Sequence, residues 1–179
     1  MNDSTAKTDS IAAQLCLACG LCCNGVIFAD VKLQSGDDPA RLQALGLPLI
    51  ETGSTPRAQT RFPQPCTALD GCRCRIYPER PNYCRKFECM LFKNVKAGRL
   101  DSAAALRIIQ VARQRADTVR SLLRALGDTE EQLPLSARFR KMARRLENAE
   151  LTEETAEMYG KLTLAVHDLN CLLSEAFYC

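Results

Sequence analysis

The chain has 179 residues and is 46% hydrophobic, which suits one ordinary domain or a small domain with a helical extension. This composition excludes a disordered tail and a mini-protein too small to bury a core. The net charge is only +3, so no overall charge excess points to a class of partner. The unusual feature is 11 cysteines beside a single histidine, which structural need alone does not explain.

The compartment is predicted from what the chain lacks. No apolar run approaches the ~20 residues of a transmembrane helix, so we expect no membrane attachment. Residues 1–10 have neither the apolar region nor the cleavage site of a secretory signal. We therefore expect a cytoplasmic protein, in which thiols stay reduced unless a metal binds them. Disulfides are the alternative if the chain is a processed, exported form.

The first half of the chain predicts short, irregular elements. Proline and glycine residues mark the ends of these elements: Pro39, for example, begins one short helix and Gly46 ends it. The predicted elements are a strand over 25–34, a helix over 39–45, a strand over 47–50, a strand over 59–62, a hairpin turn at 70–71 and a helix over 81–91.

The second half predicts three helices with one apolar face each. The first is capped by Asp101 or Ser102 and ends at Gly127, and the third is capped by Thr152. Apolar residues recur every three or four positions: Leu106, Ile109, Ala112, Ala116, Val119, Leu123 and Leu126; then Phe139, Met142, Leu146 and Ala149; then Tyr159, Leu162, Val166, Leu169, Leu173 and Ala176.

These elements together predict an α+β fold that is mostly helical. We expect a small, irregular, metal-organised cysteine-cluster module over residues 11–95, followed by a C-terminal helical bundle or hairpin over 96–179 that packs on it.

Charge is sorted along the helical half. Residues 95–145 hold 12 Lys and Arg against 5 Asp and Glu, whereas residues 146–179 hold 1 against 7. We expect the basic and acidic helices to pair with each other. A protein partner for this half is left open, and nucleic acid is not expected.

The first cysteine segment has the pattern C-x2-C-x2-C-C and comprises Cys16, Cys19, Cys22 and Cys23. A C-x2-C turn brings two sulfurs within reach of one metal, and Gly20 permits the tight backbone that such a turn requires. The side chains of adjacent cysteines diverge, so we expect one of Cys22 and Cys23 to serve a second metal centre, as in bacterial ferredoxins.

The second segment contains Cys66, Cys72, Cys74, Cys84 and Cys89. The Asp70-Gly71 turn predicts that Cys66 returns towards Cys72 and Cys74. Cys84 is predicted near a helix N-terminus, where the helix dipole would lower the thiol pKa. Several cations that suit an anionic thiolate site crowd the segment: Arg73, Arg75, Arg80, Arg85 and Lys86.

Taken together, the two segments resemble the YkgJ-like CxxCxxCC cysteine-cluster family, described as zinc- or iron-chelating domains. The resemblance lies in the first segment and in Cys66, Cys74-Arg75-Ile76-Tyr77, Arg80-Pro81, Cys84-Arg85, Phe87 and Cys89. It implies a metal site and leaves the metal open. Cys72 is extra to the family pattern. Flagellin lysine N-methylases are similar in the cysteine pattern, although no Gly-rich nucleotide loop accompanies it here.

We therefore predict a metal site of eight thiolates: Cys16, Cys19, Cys22, Cys23, Cys66, Cys74, Cys84 and Cys89. His167, Cys171 and Cys179 are predicted to lie outside it. All-sulfur ligation excludes Mg²⁺ and Ca²⁺. The continuous C-x2-C-x2-C-C run favours an iron–sulfur cluster of the [4Fe–4S] type, with zinc as the alternative and copper less favoured. The alternatives for function are a zinc-stapled structural or interaction protein and a metal-dependent protein-modifying enzyme; whether the chain is an enzyme is left open.

Overall fold

The computed structural model describes residues 14–53 and 59–178. Residues 1–10, used above to predict the compartment, and Cys179 lie outside the described residues. In chain order the elements are α1 (residues 14–19), β1 (Asp30–Lys32), α2 (Pro39–Ala44), β2 (Ile50–Thr52), β3 (Gln59–Pro63), β4 (Leu69–Asp70), β5 (Arg73–Cys74), a 3₁₀ turn (Tyr77–Glu79), α3 (Asn82–Lys86), α4 (Met90–Lys96), α5 (Ser102–Ala125), α6 (Leu135–Glu147) and α7 (Glu153–Ala176).

This is an α+β fold that is mostly helical, as predicted. The chain divides into two compact units. We call Gly20–Phe87 with Glu131–Ala137 the cysteine unit, and Met1–Cys19, Glu88–Glu130 and Arg138–Cys179 the helical unit. The predicted domain boundary between residues 95 and 96 stays a prediction. Within the described residues, no helix is both long enough and apolar enough to span a membrane.

The cysteine unit contains a three-stranded antiparallel sheet in the order β1-β3-β2 and a separate β4–β5 hairpin. Val31 lies opposite Phe62 in the register of β1 and β3, and both side chains are buried. The core formed there also contains Leu42, Leu47, Ala68 and Ile76. Three of the predicted ligands pack against this core: Cys66, Cys74 and Cys84. Burial of the apolar side chains thus fixes the backbone on which these thiols lie.

Several predicted elements of this unit are confirmed in place. The Asp38 side chain accepts a hydrogen bond from the amide of Arg41 at the start of α2, and the helix gives way to a turn at Gly46. β3 begins at Gln59 as predicted, and the hairpin turns at Gly71.

Three predictions were wrong in extent or position. The strand predicted over 25–34 is limited to β1, because residues 21–27 turn instead of extending. The strand predicted over 47–50 begins only at Ile50, since Leu47 lies in the core and not in the sheet. The helix predicted over 81–91 divides into α3 and α4. Phe87 takes an extended conformation, and its ring packs on Phe28 at 4.9 Å.

The helical unit is built on the packing of α5 against α7. Asp101 and Thr152 cap these two 24-residue helices, each through a side-chain oxygen that accepts an amide hydrogen bond, as predicted. The buried face of α5 differs from the prediction at one position. Leu106 is 45% exposed and Ala105 is fully buried, because a small side chain suits the interface where two helices approach closely.

The connection from α5 to α6 contains a buried ion pair. Arg138 Nε donates to Asp128 Oδ2 at 2.7 Å, and the two side chains are only 3% and 6% exposed. Arg145 of α6 donates to the carbonyls of Leu126 and Gly127, which lie at the end of α5. These bonds satisfy carbonyl groups that a helix end leaves without intrahelical partners.

Candidate metal centre

The eight predicted ligands are divided between the two units. Cys16 and Cys19 lie on α1, and Cys89 is the N-cap of α4, so these three belong to the helical unit. The other five belong to the cysteine unit: Cys22, Cys23, Cys66, Cys74 and Cys84. All ten cysteines in the described residues are thiols outside disulfide bonds, and seven of the eight predicted ligands are half-buried, Cys16 being exposed.

Within the cysteine unit, a backbone hydrogen bond joins the two cysteine segments. The amide of Cys66 donates to the carbonyl of Cys23 at 2.8 Å. The turn that presents Cys23 depends on Gly20, whose φ of +68° is a conformation that a side chain disfavours. The Gly20 carbonyl accepts hydrogen bonds from the amides of both Cys23 and Asn24. Backbone hydrogen bonds therefore help to hold Cys23 beside the second segment.

Four thiols of the cysteine unit act on one another electrostatically. Burial, the largest cause, and the neighbouring thiols of Cys23, Cys66 and Cys74 together raise the pKa of the Cys84 thiol from 9.0 to about 12. Arg80 acts in the opposite direction. The prediction that the helix dipole makes Cys84 a ready thiolate was therefore wrong for the protein without metal. Burial and neighbouring negative charge outweigh one short helix end.

The pKa of the Cys66 thiol is likewise raised by burial and by a neighbouring thiol, but more groups act to lower it. Burial raises the pKa of its thiol, and Cys74 adds to the increase. Backbone hydrogen bonds from Ala68 and Leu69 and the charge of Arg75 lower it. Amide groups directed at a cysteine sulfur stabilise its thiolate, the form that binds a metal.

We call Cys23, Cys66, Cys74 and Cys84 the buried thiol group. Its donor set is four sulfurs, which suits Zn²⁺, iron–sulfur clusters and Cu(I). Four thiols in a half-buried site are costly to ionise without a nearby cation, and a bound metal supplies that positive charge. The chemistry of these residues therefore fits the predicted metal.

Geometry alone does not assign the ligands. Among residues 14–53 and 59–178, no group of three or more His, Cys, Asp or Glu side chains is arranged to hold a metal ion. The eight-thiolate set accordingly stays a prediction.

Cys72 contacts the first cysteine segment at Gly20. Its Sγ is 3.4 Å from the point that a β-carbon on Gly20 would occupy, and its Cα is 3.5 Å from that point. It therefore packs on the first cysteine segment, whereas Cys74, two residues on, belongs to the buried thiol group.

The cations of the second segment have two roles. Arg75 donates to the carbonyl of Thr67, and Arg85 donates to the carbonyls of Pro78 and Arg80. The Arg80 guanidinium lies 3.6 Å from the centre of the Tyr77 ring. Arg75 lowers the pKa of the Cys66 thiol, and Arg80 lowers that of the Cys84 thiol. The predicted electrostatic role therefore applies to two of these residues, and Arg85 braces the backbone around the 3₁₀ turn.

Sequence reasoning missed two residues near the cysteines. Gln64 precedes Cys66 and is 1% exposed, and within the described residues its Oε1 has no hydrogen-bond partner. Arg113 of α5 donates to the carbonyl of Ala18, one residue before Cys19. No local pattern marks either residue, because each contact depends on how distant parts of the chain fold.

The fold and the thiols define a cysteine-cluster, metal-binding domain. Residues 15–103 match the CxxCxxCC family model, whose description is "Putative zinc- or iron-chelating domain". The two cysteine segments predict this family, and the match to its model confirms that prediction for residues 15–103. No curated protein and no solved structure matches the chain. The match covers all eight predicted ligands and ends early in α5.

Proposed function

We propose that the protein is a cytoplasmic metal protein that holds an iron–sulfur cluster through cysteine thiolates, with zinc as the alternative metal. The observation that carries the proposal is the buried thiol group, in which Cys23 of the first segment meets Cys66, Cys74 and Cys84 of the second. These four thiols come from two segments distant in sequence and belong to one unit, and four is the donor number of a four-thiolate zinc site or a [4Fe–4S] cluster.

The continuous C-x2-C-x2-C-C run supports iron–sulfur over zinc. Zinc fingers and ribbons usually set two C-x2-C pairs apart in sequence, whereas this chain adds further cysteines directly to the first pair. A bound cluster would supply electron-transfer or Lewis-acid chemistry. The protein's own residues would supply the thiolates, the amide hydrogen bonds to Cys66 and the cationic charge of Arg75 and Arg80.

The first experiment identifies the metal. We expect protein purified without oxygen to be brown, to absorb near 400 nm and to contain iron with acid-labile sulfide. A colourless protein with bound zinc and no sulfide would overturn the iron–sulfur assignment and favour the zinc alternative. Protein that binds neither metal from an anaerobic reconstitution mixture would overturn the proposal of metal binding itself.

Two serine variants then test the site. We expect Cys84→Ser to lose most of the metal bound by the cysteine unit, because its thiol lies among three other predicted ligands. Cys171→Ser is the matched control, since Cys171 is an exposed thiol on α7 whose contact is His167, 3.5 Å away. Equal metal content in these two variants would contradict the assignment of the buried thiol group.

A second pair of variants tests which of the adjacent cysteines belongs to this group. Cys23 acts on Cys84, and its carbonyl binds the amide of Cys66. We expect Cys23→Ser to reduce metal content as Cys84→Ser does, and the double variant to lose no more. Cys22→Ser should give a loss that adds to that of Cys84→Ser, because we assign Cys22 to different partners. Identical, non-additive losses for Cys22 and Cys23 would contradict this division.

A further inference from the structure

Within the helical unit, an arginine of α5 contacts the helix that carries Cys16 and Cys19. Arg113 Nη1 of α5 donates to the carbonyl oxygen of Ala18 at 2.8 Å. Ala18 lies in the last turn of α1, whose residues 14–19 include Cys16 and Cys19. Arg113 lies outside the residues that match the family model, which end at residue 103.

The chemistry of this contact suits a positioning role. The last carbonyls of a helix have no intrahelical donors, and they carry the negative end of the helix dipole. A guanidinium is permanently charged, so it satisfies such a carbonyl with a charge-assisted hydrogen bond at any physiological pH. It also brings a fixed positive charge to the backbone next to Cys19, where a thiolate ligand is predicted.

The burial of one side chain also constrains α1. Leu15, one residue before Cys16, is 4% exposed and is therefore buried on one face of this short helix. Short helical segments depend on tertiary contacts for their geometry in water. The hydrogen bond from Arg113 and the burial of Leu15 therefore both act on the segment that carries the C-x2-C pair.

We propose that Arg113 is a positioning residue for the thiolates on α1, holding the C-x2-C helix and contributing positive charge beside it. This inference rests on the proposed metal-binding function and assigns part of that function to α5. α5 packs against α7, and through the exposed Arg113 it would also have a direct role at the cysteines of α1.

The test compares three variants of the full chain. Arg113→Gln removes the charge, Arg113→Lys keeps the charge with a single-point donor, and Arg107→Gln is the control at an exposed arginine of the same helix. In reduced, metal-free protein, hydrogen exchange is measured at the amides of Ala18 and Cys19, with α7 amides as the internal reference. In metal-loaded protein, the rate of metal transfer to a chelator is measured.

We expect Arg113→Gln to speed exchange at Ala18 and Cys19 about tenfold without changing α7, because a charge-assisted hydrogen bond is lost. It should also speed metal transfer several-fold, with Arg113→Lys intermediate and Arg107→Gln like wild type. Unchanged exchange would overturn the anchoring of α1, and unchanged metal transfer would overturn its role for the ligands. Wild-type protein that binds no metal would instead overturn the proposed function, and the exchange result would still decide the anchoring.

Discussion

At the scale of single residues, Cys84 shows how a tertiary environment can reverse a local preference. A thiol near a helix N-terminus is usually easier to ionise. In this chain α3 has only five residues, and Cys84 packs on the core beside three other thiols. Burial therefore dominates, and the thiol is held neutral until a cation compensates the charge.

The raised pKa of Cys84 predicts a pH dependence of stability in the reduced, metal-free protein. Its thiol keeps its proton up to about pH 12 in the folded state, whereas the unfolded chain loses that proton near pH 9. The folded state binds more protons between these values, so the free energy of unfolding falls as pH rises through them. Below pH 9 both states are protonated, and Cys84 contributes no pH dependence.

Because of Cys84, we expect the free energy of unfolding to fall by about 2 kcal/mol between pH 8 and pH 10.5. Urea titrations at these two pH values would measure the change. Cys84→Ala lacks this thiol and should lose less stability over the same interval. Cys171→Ala serves as the control, and it should behave as wild type. A Cys84→Ala profile that is parallel to wild type would contradict the prediction.

At the scale of elements, the start of α6 braces the loop that carries Cys22 and Cys23. The amide of Leu135 donates to the carbonyl of Gly25 at 2.9 Å, and these residues belong to the same unit. Gly25 has a φ of +79°, and a β-carbon there would lie 3.0 Å from the Cα of Pro134. Backbone cannot move aside as a flexible side chain can, so this position requires glycine.

Gly25→Ala is therefore expected to cost about 3 kcal/mol of unfolding free energy, from the strained φ and the contact with Pro134 together. Gly46→Ala is the matched control, because Gly46 also has a positive φ but a β-carbon there meets no atom within 4 Å. It should cost about 1 kcal/mol. Thermal unfolding measures both, and metal content should fall only in Gly25→Ala. Equal losses of unfolding free energy in the two variants would contradict a destabilising contact with Pro134.

The elements also show which local sequence signals are enough to predict where a helix or strand begins and ends. Caps and helix stops predicted α2, α5 and α7 well, because side-chain capping and glycine ends act within a few residues. The short strands were predicted less well, since pairing with β3 decides where β1 and β2 begin and end. The break between α3 and α4 at Phe87 depends on Phe28, nearly sixty residues earlier in the chain.

At the scale of the whole molecule, the two units differ in how they are stabilised. The helical unit has two 24-residue helices with a continuous apolar contact. The cysteine unit has five short strands and a small core against which three predicted ligands pack. A module of this kind gains a large share of its folding free energy from its metal, on the order of 10 kcal/mol for a structural zinc site.

Metal removal is therefore expected to act unequally on the two units. After an anaerobic chelator treatment, amides of β3 and of the β4–β5 hairpin should exchange faster by about a hundredfold or more, as metal-derived stability is lost. Amides in the middle of α5 and α7 should keep their protection. Hydrogen exchange followed by mass spectrometry resolves both regions in one sample. Equal loss of protection in β3 and α5 would contradict this division of stability.

The amino-acid sequence predicted the fold class and the family correctly, and its cysteine spacing predicts a site of sulfur ligands. Helix periodicity, capping and cysteine spacing are local or compositional, so they can be recognised without the fold. Only the tertiary structure decided that Cys23 acts on Cys84, that Cys72 packs on Gly20, and that Arg113 contacts Ala18. Each of these contacts joins residues distant in sequence, and their geometry is fixed by which apolar side chains are buried together.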